Sequence, residues 1–146
     1  MIVGNIDGVL LTPLNVINTS GGNVLHGMKV KDFGYSGFGE AYFSFISTDV
    51  IKGWKRHHKM VLNLVVPIGI VRFVIYDDRK GSVTYNNYQE VILSKDNYQR
   101  LTVPPMLWMA FQGVGQQENM LLNVASIPHE PNEADLKPVE ELPFPW

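Results

Sequence analysis

The sequence is divided into short apolar or alternating runs, separated by residues typical of turns such as Gly21-Gly22 and Pro104-Pro105. Alternation of apolar and polar residues indicates half-buried β-strands, and no long segment has the 3.6-residue period of an amphipathic helix. The runs that predict strands are residues 9–11, 24–28, 40–47, 60–66, 71–76, 89–93, 100–103, 107–111 and 120–125. Strands of this length and spacing predict an all-β sandwich or barrel and argue against an α/β fold.

The length of 146 residues suits one domain with a single core, which we place at residues 1–130. The remaining residues, 131–146, form an acidic, proline-rich C-terminal tail. This composition indicates a solvated segment stiffened by proline. The tail nevertheless contains Leu142, Phe144 and Trp146, so docking on this domain or on a second subunit is the alternative.

The charge and the termini limit the partners and the location. The net charge of −2 gives no basic field for a nucleic acid or an anionic membrane. The first residues lack the basic region of a signal peptide, and no apolar run approaches the roughly 20 residues of a membrane-spanning helix. We therefore expect a cytoplasmic protein. The chain has no cysteine, which excludes disulfides and thiolate metal sites.

Residues 51–66, IKGWKRHHKMVLNLVV, concentrate cationic and titratable side chains ahead of an apolar run. If residues 55–66 form one extended strand, Lys55, His57, Lys59 and Asn63 share one face, because side chains alternate along a strand. The opposite face is apolar from Met60 onward, which predicts core packing. Polar groups on an inner wall need partners or a ligand, so the row predicts a pocket for a small anionic ligand. The alternative is a basic cluster that is solvated at the strand entrance.

Further polar side chains recur on neighbouring predicted strands, where they offer hydrogen-bonding groups for the same pocket. They are Glu40, Tyr42 and Ser44, which alternate along the run 40–47, and Trp108, Gln112 and Asn123 on later runs. Any one of these residues alone is also compatible with a place in the core or on the surface.

Two motifs resemble those of a known family. The first seven residues of KGWKRHHK, residues 52–59, lie without a gap on the Arg-Gly-x-His-x-His-Lys motif of the dTDP-sugar 3,4-ketoisomerases. Lys52 then replaces the arginine, Lys55 replaces the first histidine, and His57 matches the second. PPMLW, residues 104–108, matches their later Pro-Pro-x-x-Trp motif. FGEAYFS and KGWK stand where the related dTDP-4-dehydrorhamnose 3,5-epimerases carry a Phe-Gln-Asn-Ser strand and an Arg-Gly-Leu-His motif.

The chain therefore resembles, over roughly residues 38–131, the small cupins that remodel nucleotide-linked 4-keto-6-deoxy sugars. The resemblance implies a jelly roll, the double-stranded β-helix of a single cupin barrel, and a homodimer. It also implies an isomerase that removes a proton next to the ketone, without a cofactor. The implied setting is the synthesis of surface polysaccharide (O-antigen) sugars. The resemblance is strongest to the 3,5-epimerases, and the alternatives are a 3,4-ketoisomerase or a cupin that only binds nucleotide sugars or carbohydrates.

The resemblance also implies roles for individual residues. His57 is expected to act as the base, Lys55 to polarise the ketone, and Tyr42 to return a proton. The remaining candidates are expected to bind the substrate: Lys52 and Lys59 at the diphosphate, Trp108 by stacking, and Glu40, Asn63, Gln112 and Asn123 through hydrogen bonds.

The histidines lack the spacing of a cupin metal site, in which two histidines separated by one residue share a face. His57 and His58 are adjacent and point to opposite faces of a strand, and His26 and His129 are remote in sequence. We therefore expect no metal. A metal-dependent cupin oxygenase stays as a third alternative, which bound iron would reveal.

Overall fold

A computed structural model describes the whole chain, Met1–Trp146, as two facing β-sheets with no α-helix. In spatial order, the six-stranded sheet consists of β1 (Ile2–Val3), β9 (Asn87–Ser94), β8 (Ile70–Tyr76), β11 (Trp108–Gly113), β6 (Ile51–His57) and β13 (Ala134–Lys137). The five-stranded sheet consists of β2 (Leu10–Pro13), β10 (Gln99–Val103), β7 (Leu62–Ile68), β12 (Met120–Ala125) and β5 (Glu40–Phe45). β3 (Val16–Ile17) and β4 (Val24–Leu25) form a separate pair. The chain contains no helix with the length and apolar character needed to cross a membrane.

The predicted all-β architecture is confirmed, as two packed sheets rather than a closed barrel. Each of the nine predicted runs corresponds to a strand with shifted ends. Four strands, β1, β3, β6 and β13, lie outside those runs. β1 and β3 have only two residues each, too few to show a period, and β13 lies in the segment predicted as a tail.

Alternation along the strands divides the apolar side chains between two clusters. On β8, Val71, Phe73 and Ile75 point inward to the main core between the sheets. Val74 points outward to a second cluster on the outer face of the six-stranded sheet, which we call the aromatic cluster. Its members are Trp54, Val74, Tyr88, Trp108 and Ala110, with Tyr76, Leu142, Phe144 and Trp146 packed against them. The six-stranded sheet is therefore apolar on both faces.

The prediction that residues 55–66 form one strand is wrong. β6 ends at His57 and β7 begins at Leu62, and these strands belong to different sheets. The four residues between them cross from one sheet to the other. The crossing is stable because its backbone N–H groups have side-chain acceptors: Lys59 and Met60 donate to Glu133 Oε2, and Val61 donates to Ser126 Oγ.

Residues 131–146 add to the domain rather than extending into solvent. β13 pairs antiparallel with β6, and a 3₁₀ turn, Val139–Glu141, follows it. Leu142, Phe144 and Trp146 then pack on the aromatic cluster. Of the two alternatives for this segment, the structure shows docking on its own domain, which removes apolar side chains from water.

Candidate active site

A pocket of about 330 Å³ lies between the two sheets. One wall is β6, which supplies Lys52, Lys55 and His57. The facing wall is formed by β5 and β12, with Tyr42 and Asn123. Apolar side chains complete the lining: Leu62, Leu64, Met109, Phe111, Leu121 and Leu136. The site therefore combines an apolar surface with a few convergent polar groups, as ligand pockets commonly do.

A β-bulge explains how both lysines of β6 reach the pocket. Regular alternation would place Lys52 and Lys55 on opposite faces, because they are three residues apart. In the pairing with β11, however, Met109 lies opposite Lys55 and Phe111 lies opposite Lys52, so β6 has one extra residue there. A bulge redirects side chains in this way and often lies next to an active site.

His57 is held by a buried carboxylate. Its Nδ1 lies 2.5 Å from Glu133 Oε1, and both side chains are largely buried. Burial raises the pKa of Glu133, but the hydrogen bond from His57 and those from the backbone of Lys59 and Met60 outweigh it and lower the pKa to about 2. Glu133 is therefore an anion that can only accept hydrogen bonds.

The charge of Glu133 determines the tautomer of neutral His57. Because an ionised carboxylate has no proton to give, Nδ1–H must donate to Oε1. Nε2 then has a free lone pair, and it has no hydrogen-bond partner in the chain. A histidine with a carboxylate on Nδ1 and an open Nε2 has the arrangement of a general base.

The two pocket lysines differ in their contacts. Lys52 Nζ donates to Phe45 O over 2.8 Å and to Ser44 Oγ over 3.3 Å, which fixes its position. Lys55 takes part in none of the salt bridges of the chain. Its ammonium group is therefore available to a ligand with negative charge.

On the facing wall, Asn123 links two strands and orients a phenol. Its Oδ1 accepts from Asn63 N over 3.2 Å, and its Nδ2 donates to Tyr42 Oη over 3.0 Å. The Tyr42 O–H is free to donate to a bound ligand, because Tyr42 Oη accepts from Asn123 and donates to no group of the chain. Tyr42 and His57 line the same pocket.

The structure places two predicted residues on the outer face of the six-stranded sheet, away from this pocket. Trp108 belongs to the aromatic cluster, and its Nε1 donates to Asp78 Oδ2 over 2.8 Å. Gln112 also points outward and accepts from Arg72 over 3.3 Å. Both positions follow from the alternation along β11, where Met109 and Phe111 take the inward positions.

Three further predicted residues also lie outside the pocket. Asn63 is buried on the outer side of the five-stranded sheet, where it contacts Gly34 O and Thr102 Oγ1. Glu40 accepts from His129 N over 3.0 Å. The Lys59 side chain is exposed, because the crossing after β6 turns it away from the row that Lys55 and His57 form. No group of three or more histidine or acidic side chains lies close enough to hold a metal ion.

Glu133 is the residue of the candidate site that the sequence did not reveal. It lies 76 positions after His57 and among several other acids of the predicted tail. No motif distinguishes it from Glu130 or Asp135. The one available signal was chemical, since a histidine base needs a group that orients it.

The fold is that of a cupin-type jelly roll, and its pocket combines a histidine paired with a carboxylate and two lysines. A family model described as dTDP-4-dehydrorhamnose 3,5-epimerase matches residues 4–143. This range is nearly the whole chain, so the protein belongs to that family. The predicted resemblance to nucleotide-sugar epimerases is confirmed.

Solved structures share this fold. The dTDP sugar isomerase from Desulfovibrio desulfuricans G20 is 35% identical, with a TM-score of 0.93 over 97% of this chain and 92% of that chain. A dTDP-6-deoxy-D-glucose-3,5-epimerase from Legionella pneumophila, in complex with dTDP-4-keto-L-rhamnose, is 20% identical, with a TM-score of 0.80 over 91% of this chain and 74% of that chain. The predicted cupin jelly roll is thereby confirmed.

A relative in Haloferax volcanii is named as a probable low-salt glycan biosynthesis epimerase, Agl13. It is 26% identical over 105 residues, which are 71% of this chain. The match spans 65% of that relative's length.

Proposed function

We propose that this protein is an epimerase or isomerase of a nucleotide-linked 4-keto-6-deoxy sugar, with dTDP as the nucleotide. The observation that carries the proposal is the His57–Glu133 pair, with an open Nε2 in a pocket that also holds two lysines. Membership of the epimerase family supports the substrate class.

The proposed reaction begins with loss of a proton from the carbon next to the C4 ketone. His57 Nε2 takes the proton, and the electron pair of the C–H bond moves into an enolate whose negative charge lies on O4. Glu133 stabilises the imidazolium through Nδ1–H, and the Lys55 ammonium group stabilises the enolate oxygen. Return of a proton to the same carbon from its other side restores the ketone and inverts the centre. Each turnover leaves a proton on His57 and takes one from the proton donor, and exchange with water restores both groups, so the atoms and charges balance without an oxidant or a reductant.

The facing wall supplies a group for the second proton transfer. Tyr42 Oη lies opposite β6 and is oriented by Asn123. We therefore assign the return of the proton to Tyr42, which predicts that Tyr42→Phe slows product formation more than loss of the substrate proton. Equal slowing of both steps would remove Tyr42 from this role. Lys52 is assigned to the substrate phosphates, and the apolar lining to the C6 methyl group.

A 3,4-ketoisomerase is the second candidate. Here the same base removes the C3 proton, and C4 is reprotonated instead of C3. The observation in its favour is that the histidine paired with a carboxylate is His57, which matches the second histidine of the ketoisomerase motif. Residue 55, where the 3,5-epimerase motif has its histidine, is a lysine. Proton NMR of the product separates the two, because an epimer keeps its ketone at C4 and the isomer has it at C3.

The proposal is tested by solvent deuterium exchange. His57→Asn should abolish incorporation of deuterium into a dTDP-4-keto-6-deoxy sugar while binding of dTDP is retained. Exchange at the wild-type rate would remove His57 from the mechanism. Binding of the sugar nucleotide by the wild-type protein without any exchange would instead favour the non-catalytic binding protein.

We also propose a cytoplasmic homodimer that works in the synthesis of surface polysaccharide sugars such as those of O-antigen. The edge strand β5 exposes Phe43 and Phe45, which are 62% and 55% accessible, and such an edge suits a second copy. Sedimentation equilibrium tests the dimer, and a monomer at micromolar concentration would contradict it. Neighbouring genes for a nucleotidyltransferase and a 4,6-dehydratase would support the pathway, and a gene neighbourhood without sugar-nucleotide enzymes would argue against it.

A further inference from the structure

β13 is important for the position of His57 but is poorly buried. It begins next to Glu133, whose carboxylate orients His57, so its position matters for the pocket. Yet it is a four-residue edge strand whose only strand neighbour is β6, and none of its residues is buried. Leu136, which lines the pocket, is 74% exposed. Asp135 pairs with Arg56 and His58 in the middle of the strand. With so little burial, however, the register of β13 also depends on how its ends are held.

The Glu133 end is held by hydrogen bonds to the crossing after β6. The other end continues into residues 138–146, which we call the clasp. Its first attachment is polar, since Trp54 Nε1 donates to Val139 O over 3.1 Å. Trp54 is fully buried and lies directly opposite Lys137, the last residue of β13. This hydrogen bond therefore fixes the end of β13 to a rigid part of β6.

The second attachment of the clasp is aromatic. The ring centroids of Trp146 and Trp54 are 5.9 Å apart, and those of Phe144 and Tyr88 are 5.6 Å apart. Phe144 and Trp146 also contact each other edge to face at 5.3 Å. Aromatic pairs at these distances stabilise beyond the area that they bury. The clasp thus reaches past β6 to β9, on the far side of the six-stranded sheet.

Arg72 makes cation–π contacts with both aromatic rings of the clasp. The Arg72 guanidinium lies 5.3 Å from the Phe144 ring centroid and 5.5 Å from that of Trp146. Glu90 Oε2 accepts from Arg72 over 2.7 Å and fixes its position. Cation–π contacts of this kind add to the attraction. The clasp is therefore attached to β6, β8 and β9, whereas β13 pairs only with β6 and adds one contact to β11, where Lys137 lies over the Trp108 ring.

We propose that the clasp holds β13 in register, so that Glu133 remains on His57, and that Phe144 and Trp146 are positioning residues for the base. They act from the outer face of the sheet, opposite the pocket. The catalytic consequence rests on the proposed function, whereas the structural consequence does not.

The test uses the full-length double variant Phe144→Ala/Trp146→Ala. NMR of ¹⁵N-labelled protein reports on the His57 ring directly, because a hydrogen-bonded Nδ1–H gives a slowly exchanging, downfield proton. We expect that proton to broaden or disappear in the double variant. We also expect kcat for deuterium exchange to fall about 100-fold, the typical effect of displacing a catalytic group by about 1 Å.

Coupling to Glu133 distinguishes positioning from general stabilisation. If the clasp acts through Glu133, the double variant should lower kcat much less in a Glu133→Gln background than in the wild type. Leu93→Ala is the matched control. Leu93 is buried in the main core on β9, so its replacement lowers stability without removing a contact to β13. It should leave the His57 proton signal unchanged. Should the double variant fail to fold, Phe144→Leu is the milder version and should weaken the same signal in part.

An unchanged His57 signal in the folded double variant or in Phe144→Leu would overturn the proposal, as would full additivity with Glu133→Gln. If the wild-type protein exchanges no deuterium but the His57 signal still depends on the clasp, the proposed function is wrong. The proposal that the clasp positions Glu133 on His57 is then still supported.

Discussion

Replacing Glu133 by glutamine exchanges one carboxylate oxygen for an NH₂ group, yet it should disable the proposed base. The carboxylate accepts three hydrogen bonds: one from His57 Nδ1 over 2.5 Å, and those from Lys59 N and Met60 N over 2.7 Å and 2.9 Å. Glutamine has one carbonyl oxygen, which the two backbone N–H groups require. Its NH₂ group must then face His57 and donate to Nδ1, so the ring proton moves to Nε2. Nε2 can no longer accept a proton from the substrate.

The magnitude follows from the loss of a positioned base. General base catalysis contributes about 10²- to 10⁴-fold, so we expect kcat to fall about 10³-fold, which is about 4 kcal/mol in activation free energy. Stability should fall as well. Lowering the pKa of Glu133 from 4.5 to about 2 corresponds to roughly 3 kcal/mol at neutral pH.

The assay is deuterium incorporation into a dTDP-4-keto-6-deoxy sugar, followed by NMR, with urea unfolding of the same samples. Glu130→Gln is the matched control, since it makes the same change on an exposed side chain three residues earlier. We expect Glu130→Gln to exchange at the wild-type rate. If Glu133→Gln keeps its exchange rate within about threefold of wild type, the inferred tautomer is wrong.

Acid should lower the unfolding free energy of the wild-type protein by protonating Glu133. Because the pKa of Glu133 is lowered from 4.5 to about 2 in the folded state, its contribution to stability is complete above pH 4.5 and is lost as the pH falls to about 2. The unfolding free energies of wild type and Glu133→Gln should therefore converge over that range, and a constant difference would contradict the assignment. Lys55→Met should lower kcat about 10²- to 10³-fold, because the enolate loses its cation, while dTDP binding by calorimetry stays unchanged. Equal losses in binding and kcat would make Lys55 a nucleotide contact instead. Trp108→Phe should cost about 1 kcal/mol in unfolding free energy, because it loses the bond to Asp78. Its KM should not change, and a tenfold rise in KM would return Trp108 to substrate stacking.

The strands were predictable because their signal is local. Alternation along a run such as residues 71–76 reports directly which side chains face a core, and the structure follows it. The crossing at residues 58–61 was not predictable from the same pattern. No glycine or proline interrupts the run there, and the acceptor that stabilises the turn is Glu133, far along the chain.

The pocket was predictable only where alternation holds. Lys55 and His57 are two residues apart on one regular strand, so their shared face follows from the sequence. Lys52 joins them through a bulge, which depends on the pairing with β11. Trp108 is part of a family motif, yet the alternation of side chains along β11 places it on the outer face of the six-stranded sheet. A motif thus located the right strand without identifying the face.

Proton abstraction is the central claim, and the product that the wild-type protein forms in D₂O tests it most directly. The product of a dTDP-4-keto-6-deoxy sugar should carry deuterium on a carbon next to the original ketone. The rate of incorporation should exceed the rate without the enzyme. Mass spectrometry and proton NMR report the number and the position of the deuterium atoms. A product that retains every original C–H hydrogen, or a substrate that binds and returns without deuterium, would contradict the account.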